Sequence, residues 1–149
     1  MPVKYLIVGS GYRSEYYGRI ASAYPGLFGA RYLVRSAEKA ALMEKRTGCG
    51  ADTDLKSALR FDPDFIVVAV DRGHTAEVVL RFAALGLPVA AETPLGCDMP
   101  SLRAVWDASL GGAKICSLEQ YPRHPVLAAG LDAVARGVIA YLEGADTGR

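Results

Sequence analysis

The sequence predicts an α/β fold in which a parallel sheet is covered by helices on both faces. Short apolar runs alternate with longer amphipathic stretches along the whole chain, and this alternation is typical of parallel strands joined by helical crossovers. The apolar runs contain few polar residues, as expected for strands that are buried on both faces. Glycine, proline or a capping residue stands at most of the boundaries between the runs.

The first strand leads into a glycine-rich turn that predicts a dinucleotide-binding unit. An apolar run ends at Val8, residues 9–14 read Gly-x-Gly-x-x-Ser, and residues 15–23 can continue as a helix. Gly9 permits the tight turn, and Gly11 lacks the Cβ that would keep a pyrophosphate from the backbone. The first N–H groups of the helix would then hold the anion. The predicted cofactor contacts are Gly9, Ser10, Gly11, Tyr12, Arg13 and Ser14.

Taken alone, this motif also fits a glycine turn in another α/β protein. The strand, turn and helix nevertheless match a Rossmann fold, with Ser14 as the small residue where the helix packs on the strand. We therefore predict a three-layer α/β/α domain with a doubly wound parallel sheet in the order 3-2-1-4-5-6.

The remaining elements follow from apolar runs, the helical period and capping residues. Ser36 can cap one helix that Gly48 ends, and Thr53 or Asp54 can cap a short helix through Leu59. Valine, phenylalanine and leucine recur at the helical period after Thr75 and predict core contacts there. In chain order we predict strands at 31–34, near Ala51, and at 65–70, 88–91 and 114–118, with helices at 37–47, 75–85, 99–109 and 126–135.

Length and composition exclude several classes of protein. The 149 residues are enough for one domain with a sizeable core, and the net charge of +1 gives no field that would recruit nucleic acid or a membrane surface. Three widely spaced cysteines and two histidines do not suggest a metal site or a disulfide framework. The chain has no pattern of a signal peptide or a membrane span, so we expect a cytoplasmic protein.

The end of the second strand predicts which dinucleotide is bound. An acid at this point binds the ribose 2′-hydroxyl of NAD, whereas arginine accommodates the 2′-phosphate of NADP. Here the strand ends in Arg35 and Ser36, and Lys39 follows about one turn later. These groups favour NADP, with NAD as the alternative. Arg35 can also be a solvated residue at a strand end, and Arg13 can equally reach a phosphate or lie on the surface.

Later motifs resemble those of the glucose–fructose oxidoreductase and inositol dehydrogenase family (Gfo/Idh/MocA). An apolar strand and loop end at His74, Glu92-Thr93-Pro94 matches a Glu-Lys-Pro motif, and residues 120–125 and 137–140 are similar to two later motifs. The resemblance covers essentially the whole chain. It implies an NAD(P)-dependent oxidoreductase that transfers a hydride between nicotinamide and a sugar or polyol-like substrate. It also implies homo-oligomers and cofactor contacts from Val70, Asp71, His74, Glu92, Thr93 and Pro94.

The resemblance further implies that a substrate domain follows the dinucleotide-binding domain. We expect residues 1–143 to form the Rossmann domain, residues 144–149 to be a frayed tail, and the substrate domain to be absent from this chain. The chain alone is therefore expected to be inactive and to self-associate through surface that the second domain would cover.

The departures from the family pattern leave the chemistry open. Thr93 stands where the family has the lysine that contacts the nicotinamide ribose and the reacting hydroxyl, and a threonine hydroxyl carries no charge. Asp71-Arg72 replaces a usual Pro-Asn pair, and Ala140 replaces a glycine. The catalytic candidates are Thr93 and His74, although His74 can instead cap the following helix and Glu92 can be a structural residue at a strand end.

Two other classes of function compete with a dehydrogenase. A non-catalytic NADP-binding sensor is compatible with Thr93. A methyltransferase would share the glycine loop, but it needs an acid for the ribose hydroxyls where this chain has Arg35.

Overall fold

The structure is a computed structural model that describes residues 1–119 together with Pro125. The chain divides into two units, Met1–Leu118 and Glu119–Arg149, and the first is described here. Its helices and strands are, in chain order, β1 (Val3–Val8), α1 (Tyr12–Ala23), β2 (Phe28–Leu33), α2 (Ala37–Thr47), β3 (Ala51–Asp52), α3 (Leu55–Leu59), β4 (Phe65–Val68), a 3₁₀ turn (Arg72–His74), α4 (Thr75–Ala83), β5 (Val89–Ala91), α5 (Met99–Leu110) and β6 (Ile115–Ser117).

The six strands form one parallel sheet in the order β3-β2-β1-β4-β5-β6. This confirms the predicted Rossmann-like fold and its strand order. Strand β1 lies at the centre, with Tyr5 paired to Ala30 of β2 on one side and to Phe65 of β4 on the other. The direction of winding reverses there, and in open α/β sheets ligands bind outside the carboxyl ends of the strands at this point.

The alternation of side chains along the central strands divides the core between the two faces of the sheet. Leu6 of β1 lies in a cluster with Phe82 of α4 and Val105 of α5. Its neighbours Tyr5 and Ile7 lie in the other cluster, with side chains from α1 and α2. Strand side chains point alternately to opposite faces, so one nearly continuous apolar run supplies both clusters. Helices on both faces then complete the three layers.

Capping residues set both ends of α2 and the start of α3 as predicted. The Ser36 hydroxyl accepts a hydrogen bond from the Lys39 N–H at 3.3 Å, and Gly48 ends α2 in the left-handed conformation with φ of 73°. Asp54, rather than Thr53, caps α3. Asp98 caps α5, which was not predicted, and its carboxylate accepts the Ser101 N–H at 2.7 Å.

The start of β2 and the end of β4 differ from the prediction for reasons that the structure shows. Strand β2 begins at Phe28 rather than at residue 31 and ends at Leu33, because pairing with β1 extends the ladder back through Gly29, which has a low strand propensity. Strand β4 ends at Val68, although the apolar run continues to Val70. Apolar character reports burial, and it does not show where the ladder of hydrogen bonds stops. The other predicted ends differ by no more than three residues.

Several sequence predictions lie outside the described residues. These are the helix at 126–135, the motif at 137–140, the tail at 144–149 and, apart from Pro125, the motif at 120–125.

Candidate dinucleotide-binding site

A cleft of about 1070 Å³ opens at the carboxyl ends of the central strands. It lies where the fold predicts a ligand, beside the switch between β1 and β4. Most of the predicted site residues line it: Gly9, Ser10, Gly11, Tyr12, Arg13, Arg35, Lys39, Val70, Asp71, His74, Glu92 and Thr93. Three predicted residues, Ser14, Ser36 and Pro94, are not among its lining residues.

The two glycines of the loop differ in how much space surrounds them. Gly9 has φ of +130°, and a Cβ there would lie 2.9 Å from the carbonyl carbon of Ala69 and closer still to its oxygen. No other residue fits at this position. Gly11 has extended backbone, and a Cβ there would meet nothing within 4 Å. The space beside Gly11 is therefore open to a ligand that approaches the backbone.

The first turn of α1 presents N–H donors beside this open space. Gly11 is the N-cap residue and has no side chain, so no side-chain hydrogen bond caps the helix. The first N–H groups of a helix have no partner within the helix, and the helix dipole adds positive potential. The loop and the start of α1 together can hold an anionic group such as a pyrophosphate.

Besides Ser14, close packing of α1 on the sheet requires a small residue at Gly18, which was not predicted. A Cβ at Gly18 would lie 2.9 Å from Cζ of Tyr32 and would overlap its hydroxyl oxygen. Ser14 is also fully buried, and its hydroxyl donates to the Gly11 carbonyl at 2.6 Å while the Tyr32 hydroxyl donates to the Ser14 carbonyl at 3.0 Å. Ser14 thus supports the loop from behind and does not face the cleft.

Two cations follow β2, where the ribose of a dinucleotide would lie: Arg35 in the loop after the strand and Lys39 in the first turn of α2. Arg35 and Lys39 are exposed, line the cleft and form no ion pair within residues 1–119. Ser36, predicted to join them, uses its hydroxyl to cap α2. The guanidinium and the ammonium are therefore free to contact an anion.

The opposite wall of the cleft comes from the loop after β4 and from α4. The Asp71 carboxylate accepts the Gly73 N–H at 3.0 Å and lies 3.6 Å from Nδ1 of His74. The side chain of His74 does not cap α4, although capping was the alternative to a functional role. Val78, expected only in the core, packs on the core and also lines the cleft.

Three charged residues on this wall were missed, namely Arg72, Glu77 and Arg81. Glu77 and Arg81 are four residues apart and so lie on one face of α4, and Val78 is next to Glu77. A search for polar residues on the helix face beside the sheet's carboxyl edge could have found them. With these residues, the cleft is lined by five lysines and arginines and three carboxylates: Arg13, Arg35, Lys39, Arg72 and Arg81 with Asp71, Glu77 and Glu92.

Glu92, at the end of β5, takes part in a three-residue cluster with two side chains of α1. Nε of Arg13 lies 3.5 Å from one carboxylate oxygen, and the Tyr17 hydroxyl donates a hydrogen bond to the other. Burial, followed by the hydrogen bond to Glu92, raises the pKa of the Tyr17 phenol. The phenol therefore stays protonated and acts as a donor at neutral pH.

Thr93 follows Glu92 and lies exposed at the cleft, next to a cis peptide bond with Pro94. Its hydroxyl supplies no charge there. Residues 1–119 contain no cluster of three potential metal ligands. None of the helices described above is long and apolar enough to span a bilayer.

Several solved structures with a similar fold are described as oxidoreductases or dehydrogenases. A protein from Desulfitobacterium hafniense described as an NADPH-dependent oxidoreductase has a TM-score of 0.79 and 19% identity over 93% of this chain and 40% of its own. The WlbA dehydrogenase from Bordetella pertussis, in complex with NADH and UDP-GlcNAcA, has a TM-score of 0.77 and 21% identity over 91% of this chain and 42% of its own.

A Gfo/Idh/MocA family oxidoreductase from Vibrio cholerae has a TM-score of 0.76 and 14% identity, with coverage of 90% of this chain and 44% of its own. The family that the sequence motifs resemble is thus present among the structures of the same fold. The chain spans about two fifths of the length of these three proteins. No family model matches the sequence, and a comparison with curated proteins gives no significant match.

Proposed function

We propose that this chain is the dinucleotide-binding part of an NAD(P)-dependent oxidoreductase of the Gfo/Idh/MocA type. Its reaction is hydride transfer between the nicotinamide and a carbinol or carbonyl carbon of a sugar or polyol-like substrate. The cofactor supplies the hydride chemistry, and the protein positions it and provides charge. The similarity to a dehydrogenase in complex with NADH and a sugar nucleotide supports this class of reaction.

The observation that carries the proposal is the uncapped start of α1 behind Gly11, at the switch point of the sheet. A pyrophosphate placed there would contact the N–H donors of the first helical turn. The nicotinamide would extend toward Glu92 and Thr93, and the adenosine ribose toward Arg35 and Lys39. The cleft runs continuously between these two groups of residues.

We propose NADP as the preferred cofactor. Arg35 and Lys39 carry no ion pair within the described part of the chain and face the cleft without a neighbouring acid from β2. A 2′-phosphate would gain two cationic contacts there, whereas the 2′-hydroxyl of NAD would find no carboxylate at the end of β2.

The test of the proposal is titration of NADPH into the chain, followed by cofactor fluorescence and by the melting temperature. Gly11→Val should abolish binding without unfolding the protein, because its side chain enters open space on extended backbone. Gly26→Val is the matched control, since a Cβ at Gly26 also meets nothing within 4 Å but lies in the loop before β2. No response of the unchanged chain to millimolar NADPH or to millimolar NADH would exclude the proposal.

Thr93 favours one second candidate, a cofactor-binding protein without turnover. The hydroxyl at this position cannot stabilise an alkoxide as an ammonium can. The imidazole of His74, which lines the cleft, or a group outside the described residues would have to accept the proton. Assays of polyols with NADP on this chain, on a longer natural chain if there is one, and on Thr93→Lys separate the two candidates. Activity only after Thr93→Lys would support the binding protein.

A further inference from the structure

The cluster of Arg13, Glu92 and Tyr17 joins the phosphate loop to the opposite half of the sheet. Arg13 is the second residue of α1, and Glu92 directly follows β5. Their charged groups lie 3.5 Å apart, and Gly11 and Thr93 line the same cleft. Both side chains line the cleft, so a bound dinucleotide would pass them.

The two members of the ion pair are held very differently. The side chain of Arg13 is 57% exposed, while that of Glu92 is only 15% exposed. Arg13 has no other ion pair within residues 1–119, whereas Glu92 also accepts the hydrogen bond of Tyr17. If the pair separates, the arginine can move and the carboxylate stays in place.

Tyr17 is well fixed as the anchor of this carboxylate. It is partly buried against the core cluster that contains Tyr5 and Ile7. Its backbone carbonyl accepts a hydrogen bond from the Tyr5 hydroxyl at 2.7 Å. The phenol thus reaches Glu92 from a rigid position, across 75 residues of sequence.

We propose that Glu92 binds the Arg13 guanidinium in the free protein and that a dinucleotide pyrophosphate replaces Glu92 as its partner on binding. Tyr17 is the positioning residue that keeps the Glu92 carboxylate in place when the ion pair separates. This inference rests on the proposed function and assigns roles to three residues of the same site. One carboxylate oxygen of Glu92 already accepts from Tyr17, which leaves the other for Arg13. A pyrophosphate carries two negative charges and can accept two N–H bonds from the guanidinium, which makes it the stronger partner. Binding therefore includes the cost of breaking the pair with Glu92.

Glu92→Gln removes that cost and keeps the size of the side chain, and its amide oxygen can still accept from Tyr17. NADPH should bind about two- to fivefold more tightly, as expected for loss of a partly exposed ion pair. Arg13→Gln should weaken binding. The loss should be larger in the Glu92→Gln background, because no ion pair has to be broken there to form the contact between Arg13 and the phosphate. Asp107→Asn on α5 is the control, because it removes one negative charge, as Glu92→Gln does, but at a residue that does not line the cleft. It should leave the affinity for NADPH unchanged.

Tyr17→Phe tests the positioning role. Without its anchor, Glu92 can follow Arg13 and stay close to the phosphate, so binding should weaken. The weakening should vanish in the Glu92→Gln background, whereas damage to folding would persist there. Weaker binding by Glu92→Gln, or additive effects of Arg13→Gln and Glu92→Gln, would overturn the inference and indicate that Glu92 contacts the cofactor directly. If the unchanged chain does not bind NADPH at all, the proposed function itself fails.

Discussion

Replacement of Arg35 by aspartate should reverse the preference between the two nicotinamide cofactors. Arg35 is exposed in the loop after β2, lines the cleft and has no ion pair within residues 1–119, so its replacement breaks no ion pair in that part of the chain. The substitution takes one cation from the site of the 2′-phosphate and adds a carboxylate at the position that binds the ribose hydroxyl of NAD.

The size of the effect follows from the surroundings of Arg35. A hydrogen bond to a charged group contributes about 1.5–3 kcal/mol. Because the side chain is exposed and Lys39 remains nearby, the lower end of this range applies. The affinity for NADPH should therefore fall by about tenfold, and the affinity for NADH should stay constant or rise.

Fluorescence titration of both reduced cofactors measures this preference directly. Lys45→Asp is a suitable control, because Lys45 lies in the last turn of α2, away from the cleft, and the substitution changes the net charge equally. A similar loss of affinity for NADPH and NADH would refute the reasoning and give Arg35 a structural role. An effect of the same size in Lys45→Asp would show that only the overall charge matters.

Two further predictions concern stability. Gly18→Ala should lower the free energy of unfolding by about 1–3 kcal/mol, because the added methyl group would displace Tyr32 from the hydrogen bond with Ser14. Urea denaturation would measure this change. Unchanged stability would contradict the close packing of α1 on β2. The hydrogen bond from the Ser101 hydroxyl, followed by the one from the Ser101 N–H, lowers the pKa of Asp98. The stabilisation by the Asp98 carboxylate is therefore present above the ordinary pKa of aspartate, and it is lost as the pH falls through the lowered pKa of the folded protein. Asp98→Ala should therefore lower the melting temperature at neutral pH and have less effect in acid, and an equal effect at both would argue against this cap.

The parts of the fold that depend on neighbouring residues were predictable from the sequence. Gly9 and Gly11 fix the loop, and Ser36 and Gly48 fix the ends of α2, because each acts within a few residues of its own position. The strand order followed from alternating strands and helices, since right-handed crossovers leave few ways to arrange them.

Features that depend on tertiary contacts were not predictable in this way. The start of β2 at Phe28 is set by pairing with β1, against the low strand propensity of Gly29. The roles of Gly18 and Tyr17 require knowing which side chains lie opposite, namely Tyr32 and Glu92. No pattern near Tyr17 indicates a partner 75 residues away.

The central position of β1 links local opening of the sheet on its two sides to ligand binding. Strands β2 and β3 lie on one side of β1, strands β4 to β6 lie on the other, and the cleft touches both sides. Partial opening of either side would separate the two walls that a dinucleotide bridges. A bound dinucleotide would therefore be released by either opening, and its binding free energy would add to the protection of amide protons on both sides of the sheet. In hydrogen exchange, β2 and β5 would then respond to the ligand as one unit, although they do not touch.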